Sequence, residues 1–354
     1  MMATDDIGTA TIDPGLLESA VAQLKTGTAT TEVLLTTTQT FTPTPTSSLT
    51  PTLSPTPHPM DIQAMRARSY PGSDIVIEQE LEPGANYRRY YVSYLSEGLK
   101  IFALLTVPDG EMPTNGWPGI VFNHGYIPPE QYRTTERYIA YVDQLAINGY
   151  VVFRIDYRGN DRSEGEPTGA YSDPGYMVDV LNAISSLQRF PQVNPEKIGM
   201  WGHSMGGYLT LRAMVISKAV KAGVIWAGVV GSYPDLLYNW RRSSTASYPT
   251  PRPGAVRWRD DWVNTYGSPE QNPDFWNAIS SNSFLADLSG PLQLHHGTAD
   301  EEVPLEFSQT LSGQIQVAGG EVELFTYEGD NHNISNYFYM AMTRTIAFFD
   351  RYLK

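Results

Sequence analysis

No cysteine occurs anywhere in the 354 residues. That absence removes disulfides, thiolate catalysis, zinc–thiolate sites and iron–sulfur clusters together. Long apolar runs are missing as well. The most apolar stretch, Ala222 to Val230, falls far short of the roughly 18–20 residues a bilayer-spanning helix needs, so no membrane span is expected. Basic residues are scarce: 24 Lys and Arg stand against 38 Asp and Glu, a formal charge of −14. With no clustered basic face, the chain lacks the electrostatic footprint of a nucleic-acid or anionic-lipid binder. The first residues, Met1-Met2-Ala3-Thr4-Asp5-Asp6, hold neither a positive region nor an apolar core, which predicts no secretory leader here. His-Glu-x-x-His and phosphate-cradling loops are also lacking.

Aromatics are nearly absent from residues 1–60, where Phe41 stands alone among Thr and Pro. Asp13-Pro14 predicts a short helix ending at Gly27. The Thr-Pro steps from Thr42 to Pro59 cannot build a core and predict an extended spacer rising about 3.1 Å per residue. Stalks of this composition tether exported enzymes. Residues 1–60 are therefore expected to be a Thr/Pro-rich stalk or linker, and 61–354 a catalytic domain placed outside the cytoplasm.

From Asp61 onward, short β-rich runs appear at Ile75–Ile77, Tyr90–Tyr94, Ile101–Val107, Gly119–Phe122 and Val151–Ile155. Others follow at Ile198–Trp201, Gly223–Trp226, Leu292–Leu294 and Val322–Tyr327. Between them lie helical stripes at Thr134–Ala146, Met177–Leu187, after Ser204, at Leu305–Gln316, and from His332 to the end. Early strands followed by β–α alternation predict an α/β fold, a mostly parallel sheet with helices on both faces. The alternation breaks between Gly231 and Ser283, a segment dense in Trp, Tyr and Arg. It predicts a helical, lid-like insertion. Tyr233, Trp240 and Trp258 are its candidate substrate contacts.

The chemistry centres on Gly202-His203-Ser204-Met205-Gly206. A serine on a sharp strand-to-helix turn is exposed by a strained backbone, and small residues two before and two after let strand and helix cross. Serine needs a base, normally His oriented by a carboxylate. Of six His, His58 lies in the stalk, His203 inside the turn and His124 in another turn. His295 and His296 point to opposite sheet faces, so at most one reaches the cleft. His332 remains, in a loop after the last strand. Asp300, after a strand and the Gly297 turn, is the candidate carboxylate, whereas Asp330 reads as a turn residue. Oxyanion donors are expected from the N–H of Met205 and, in the turn Asn123-His124-Gly125-Tyr126, the N–H of Tyr126. Adjacent strand positions cannot share one ion, so His295, His296 and Asp300 are not read as a metal site.

At these residues the chain resembles the α/β-hydrolase superfamily, in particular the catalytic domain of prolyl-oligopeptidase-like serine hydrolases, over about residues 85–354. The resemblance rests on Gly202–Gly207, on His296-Gly297-Thr298-Ala299-Asp300 with Val303-Pro304, on Gly329–His332 and on Arg158–Gly165. It implies an acyl-enzyme mechanism with no cofactor. In its oligopeptidases a Tyr precedes the glycine of the oxyanion turn, where this chain has His124, and a β-propeller precedes the catalytic domain. Single-domain members are similar to carboxylesterases, so the expected substrate is a small or polysaccharide-linked carboxylic ester. A peptidase or acyl-peptide hydrolase is the alternative. A non-catalytic binding protein on the same scaffold is the reading from another class.

Overall fold

One nine-stranded sheet organises the computed structural model, which describes residues 56–240 and 257–354. The strands are β1 (Val76–Leu81), β2 (Tyr87–Ser96), β3 (Leu99–Pro108), β4 (Trp117–Asn123), β5 (Val151–Ile155), β6 (Val193–His203), β7 (Val220–Trp226), β8 (Leu292–Gly297) and β9 (Val322–Tyr327). Their spatial order is β1-β2-β3-β5-β4-β6-β7-β8-β9. The first three run antiparallel to their neighbours, and from β5 through β9 every pairing is parallel. Parallel strands need crossovers, supplied by α2 (Ile139–Ile147), α3 (Gly175–Gln188), α4 (Met205–Ile216), α5 (Tyr233–Tyr238) with α6 (Arg257–Tyr266) and α7 (Pro273–Ile279), and α8 (Leu305–Val317); α1 (Ile62–Ala67) precedes the sheet and α9 (Phe338–Leu353) follows it.

The period-two alternation of strand side chains sorts the core into two halves. Val121, Phe153 and Ile225 face the cluster beneath α3 and α4. Their neighbours Ile120, Phe122, Val152, Val224 and Trp226 face the cluster covered by α2 and α9. Near-continuous apolar runs in β4 to β8 follow from this burial on both sides. The fold is thus the mostly parallel, two-sided sheet that the sequence pattern predicts, and it places the carboxyl ends of β4, β6, β8 and β9 along one edge.

Two helix boundaries differ from expectation. α2 starts at Ile139 rather than Thr134, because Tyr138 takes a left-handed conformation at φ 51° and cannot continue a helix backwards. α9 starts at Phe338 rather than His332, since the Asp330 carboxylate accepts from the backbone N–H of Asn331, Asn336 and Tyr337 and holds the segment as a turn. The helix expected near Asp13 lies outside the described residues.

Folded packing begins earlier than Asp61. The compact unit starts at Pro55. His58 is not free in a stalk: its ring sits edge-on to Trp262 at 5.1 Å, Tyr266 at 5.3 Å and Phe275 at 5.5 Å. Met60 is fully buried, and the Arg212 guanidinium donates to its carbonyl as well as to the Ile279 carbonyl.

The segment from Gly231 contributes α5, α6, α7 and a 3₁₀ stretch at Ser281–Asp287; residues 241–256 fall outside the description. Tyr233 corrects one expectation. It is only 1 % exposed, with its hydroxyl against the Tyr171 carbonyl and Tyr208 Oη, so it is a core residue and no substrate contact. Trp240 is also largely buried, donating from Nε1 to the Glu302 carbonyl at 2.9 Å. Trp258 is half-buried, and the Arg259 guanidinium lies over both indoles. These aromatics pack with the domain.

Candidate active site

Ser204 stands between the end of β6 and the start of α4 at φ 55° and ψ −117°. A non-glycine residue there carries strain of order 1–3 kcal/mol, which persists only where the surroundings hold it. They do so through the backbone. Ser204 N–H donates to the Trp226 carbonyl at 3.0 Å, and its own carbonyl accepts from Gly207 N–H at 2.9 Å and Val229 N–H at 3.1 Å. The flanking glycines have a visible reason. A Cβ on Gly202 would strike the Gly206 carbonyl, and one on Gly206 would strike the Asn123 carbonyl. Strand, helix and the neighbouring turn therefore cross with no room for a side chain. Met205 N–H opens the helix, among the first-turn donors that have no acceptor within it.

His332 and Asp300 come together from the loops after β9 and β8. His332 Nδ1 lies 2.8 Å from Asp300 Oδ2. An ionised carboxylate only accepts, so Nδ1 carries the proton and Nε2 is left as the basic lone pair. Asp300 Oδ1 accepts from Glu302 N–H at 2.8 Å and Val303 N–H at 3.0 Å. Its other oxygen also meets His296 Nε2 at 3.1 Å. Burial by itself would raise the Asp300 carboxyl, but the hydrogen bonds from His296, His332 and the Val303 N–H outweigh it. They hold the group well below the usual carboxylate range. Asp330, two residues from His332, spends its carboxylate on its own loop. Glu302 Oε2 stands 4.0 Å from His332 Nε2.

The turn after β4 supplies the fourth side of the site. Asn123, His124 and Gly125 are buried, and Tyr126 is exposed. His124 lies against the rings of Tyr132 at 4.5 Å and Tyr157 at 4.4 Å, and burial pushes its imidazole down to about 3. Its Nδ1 is 2.6 Å from the Gly125 carbonyl oxygen. In a trans peptide the C=O and the following N–H point oppositely. Tying down the Gly125 oxygen therefore aims the Tyr126 N–H the other way.

Sequence reasoning overlooked three residues of this neighbourhood. Tyr138 was expected on a helix stripe with Val142 and Leu145, but its hydroxyl takes the Gly125 N–H at 2.9 Å and meets His203 Nδ1 at 2.8 Å. His203, inside the serine turn, reaches the His332 carbonyl with its Nε2 at 3.0 Å. His296 reaches Asp300. The alternation of His295 and His296 across the sheet was legible; which one faces the site was not. His295 instead sits between Tyr327 Oη and Gln293 Oε1, each at 2.7 Å. Among the described residues, no group of three or more His, Asp or Glu could hold a metal ion, and no helix is long and apolar enough to cross a membrane.

A strained serine turn, a His–Asp pair and the buried turn after β4 on the carboxyl edge of this sheet define an α/β-hydrolase of the serine hydrolase class. The family follows from comparison with known proteins. Residues 137–354 match the prolyl oligopeptidase family, and the chain belongs to it. "Uncharacterized peptidase YtmA" of Bacillus subtilis is 26 % identical over 251 residues, covering 71 % of this chain and 88 % of that protein. An acylaminoacyl peptidase structure in complex with Z-Gly-Gly-Phe-chloromethyl ketone shares 25 % identity at a TM-score of 0.60, covering 76 % of this chain and 42 % of its own. The acetyl xylan esterase from Paenibacillus sp. R4 superposes with a TM-score of 0.59 at 17 % identity, covering 82 % and 92 % respectively. The chain thus spans less than half of that peptidase, and its fold is shared by peptidases and esterases alike.

Proposed function

We propose that the enzyme cleaves carboxylic esters through an acyl-enzyme on Ser204. His332 takes the serine proton at Nε2 and later returns it to the leaving group, while Asp300 orients the imidazole and stabilises its charged form. The N–H groups of Met205 and Tyr126 receive the oxyanion. The His332–Asp300 contact of 2.8 Å, tied to the turn of the strained Ser204 by the bond from His203 Nε2 to the His332 carbonyl, carries this reading. No cofactor enters it.

Ester rather than amide is favoured by His124. Where the family's oligopeptidases have a Tyr, this imidazole spends its one proton on the Gly125 carbonyl inside the protein, so the position offers no side-chain donor. One oxyanion donor is worth about 3 kcal/mol, and an amide, with its poorer leaving group, needs that stabilisation more. The esters are small or attached to polysaccharide, such as acetyl or feruloyl groups. Trp240 braces the Glu302 carbonyl and Trp258 stands beside it, a placing that suits a wall of the acyl pocket. Residues before the compact unit serve as a Thr/Pro spacer, which favours an extracytoplasmic home.

The second reading, a peptidase or acyl-peptide hydrolase, is favoured by the likeness to acylaminoacyl peptidase over 76 % of the chain. A panel of acetyl, butyryl, feruloyl and longer acyl esters beside aminoacyl and acylaminoacyl amides separates the two. The ester reading expects kcat/KM for the best ester to exceed that for any amide by about 10³ or more, the leaving-group difference unaided by a third donor. Comparable amide turnover would overturn it.

A further inference from the structure

Outside the proposed triad, Tyr138 and His203 form a buried chain of hydrogen bonds with a single sense. It runs from Gly125 N–H to Tyr138 Oη at 2.9 Å, from Tyr138 Oη to His203 Nδ1 at 2.8 Å, and from His203 Nε2 to the His332 carbonyl at 3.0 Å. A carbonyl only accepts, so His203 Nε2 carries the proton. Nδ1 is then a lone pair, and Tyr138 must donate to it, which leaves the phenol oxygen to accept from Gly125. Reversing any link would set two lone pairs or two protons face to face. The assignment needs a neutral imidazole, and burial supplies one by pushing His203 down to about 3.

The chain spans loops that are remote in sequence: Tyr138 and His203 are 65 residues apart, His203 and His332 129. One end is the turn proposed to bind the oxyanion. The other is the backbone of the proposed base, and the middle residue is bonded covalently to Ser204. Tyr138 reaches its place only through a left-handed backbone at φ 51°, an outlier of the kind that clusters at functional sites. Gly125 answers it. A Cβ there would come within 2.7 Å of Tyr138 Oη and 3.3 Å of Ser204 Cβ, so the turn has no room for a side chain at this position.

We propose that Tyr138 and His203 are positioning residues, a two-residue clamp that fixes the oxyanion turn and the His332 backbone in register with Ser204. The proposal rests on the triad reading above. Small misplacements of reacting groups cost rate far more than binding, so the clamp acts on acylation and not on substrate affinity.

Tyr138→Phe is the informative variant, since it keeps the ring between Phe122 and Trp201 and removes only the hydroxyl. Single-turnover acylation by p-nitrophenyl acetate, steady-state KM, and the rate of fluorophosphonate labelling at Ser204 are measured in wild type and variant. The expected result is acylation and labelling slowed about tenfold or more with KM within about twofold. His203→Gln, which can still donate to the His332 carbonyl, should retain more activity than His203→Phe. The double variant Tyr138→Phe/His203→Phe should lose little beyond His203→Phe alone, because one clamp is broken only once. Unchanged acylation in Tyr138→Phe, with wild type labelled at Ser204, would overturn the clamp alone. A wild type that is not labelled at Ser204 would overturn the triad reading and the clamp with it.

Discussion

Asp300 Oδ2 receives two imidazoles, His332 Nδ1 at 2.8 Å and His296 Nε2 at 3.1 Å. His296 is fully buried and is itself held, with Ser308 Oγ 2.7 Å from its Nδ1 and the Val303 carbonyl 3.1 Å from its Nε2. The carboxylate is therefore fixed by one side chain on β8 and one on the loop after β9 before any substrate arrives. His296→Leu keeps the bulk and removes the donor, leaving a buried carboxylate short of one partner at a cost of about 1–3 kcal/mol. The expected outcome is a kcat reduced about tenfold with KM little changed, and a lowered melting temperature. Steady-state kinetics and a thermal melt check it; full kcat would show that His332 needs no such support for its carboxylate.

Truncation should distinguish residue 54 from residue 61. Residues 1–54 hold a single aromatic, Phe41, among Thr and Pro and offer little surface to bury, so removing them should leave kcat/KM within about twofold and the melting temperature unchanged. Removing residues 1–61 takes away buried Met60, the caged ring of His58 and one of the carbonyl acceptors of the buried Arg212 guanidinium. Loss of a buried charged group's partner costs about 3 kcal/mol, enough to lower the melting temperature by roughly 5–10 °C. Equal melting temperatures for the two truncations would contradict the early start of the domain.

Trp240→Ala should damage stability. The indole is 9 % exposed, packed in the main core and bonded to the Glu302 carbonyl beside Asp300. Losing it should cost about 3–5 kcal/mol. As a wall of the acyl pocket it should also alter the ranking of esters, with bulky acyl groups gaining relative to acetyl. Denaturant melts and the ester panel check both parts. An unchanged ranking would confine Trp240 to packing.

Acid should weaken the fold well before the carboxylates dominate. His124, His203 and His295 are each pushed down to about 3 by burial, against an ordinary value near 6.5. Between these limits the unfolded chain binds three protons that the folded chain refuses. Asp156 works the other way: burial raises it to about 8, so the folded chain keeps one proton that the unfolded chain releases above about pH 4. Two protons in balance favour unfolding as pH falls from 6.5 towards 4, so stability should drop by up to roughly 3 kcal/mol per pH unit. Urea melts at pH 6.5 and pH 5 measure this. Equal or greater stability at pH 5 would contradict the burial of neutral imidazoles.

Much of the site is written locally in the sequence, and that part was legible. The Ser204 turn needs small residues at fixed offsets, and Asp300 and His332 each follow a strand and a glycine-containing turn. The sheet was legible for the same reason, since alternation of apolar residues is set by local geometry. What escaped depends on long-range contact or on one unusual dihedral. Tyr138 falls on a helical stripe by spacing, and only its left-handed backbone turns it towards His203. His58 sits in Thr-Pro surroundings that read as spacer, and its aromatic cage comes from residues some two hundred positions away, on α6 and α7. Tyr233 has the composition of a substrate wall and the burial of a core residue, because Trp and Tyr serve either purpose.

The proposed mechanism makes Ser204 the covalent nucleophile. Its most direct test is mass spectrometry of the protein after reaction with a fluorophosphonate. One adduct per chain is expected, on the peptide containing Ser204, formed in parallel with loss of activity and absent from Ser204→Ala. That variant should fold normally and lose about 10⁴-fold or more in kcat. An adduct on another residue, or a well-folded Ser204→Ala that keeps a tenth of the wild-type activity, would contradict it.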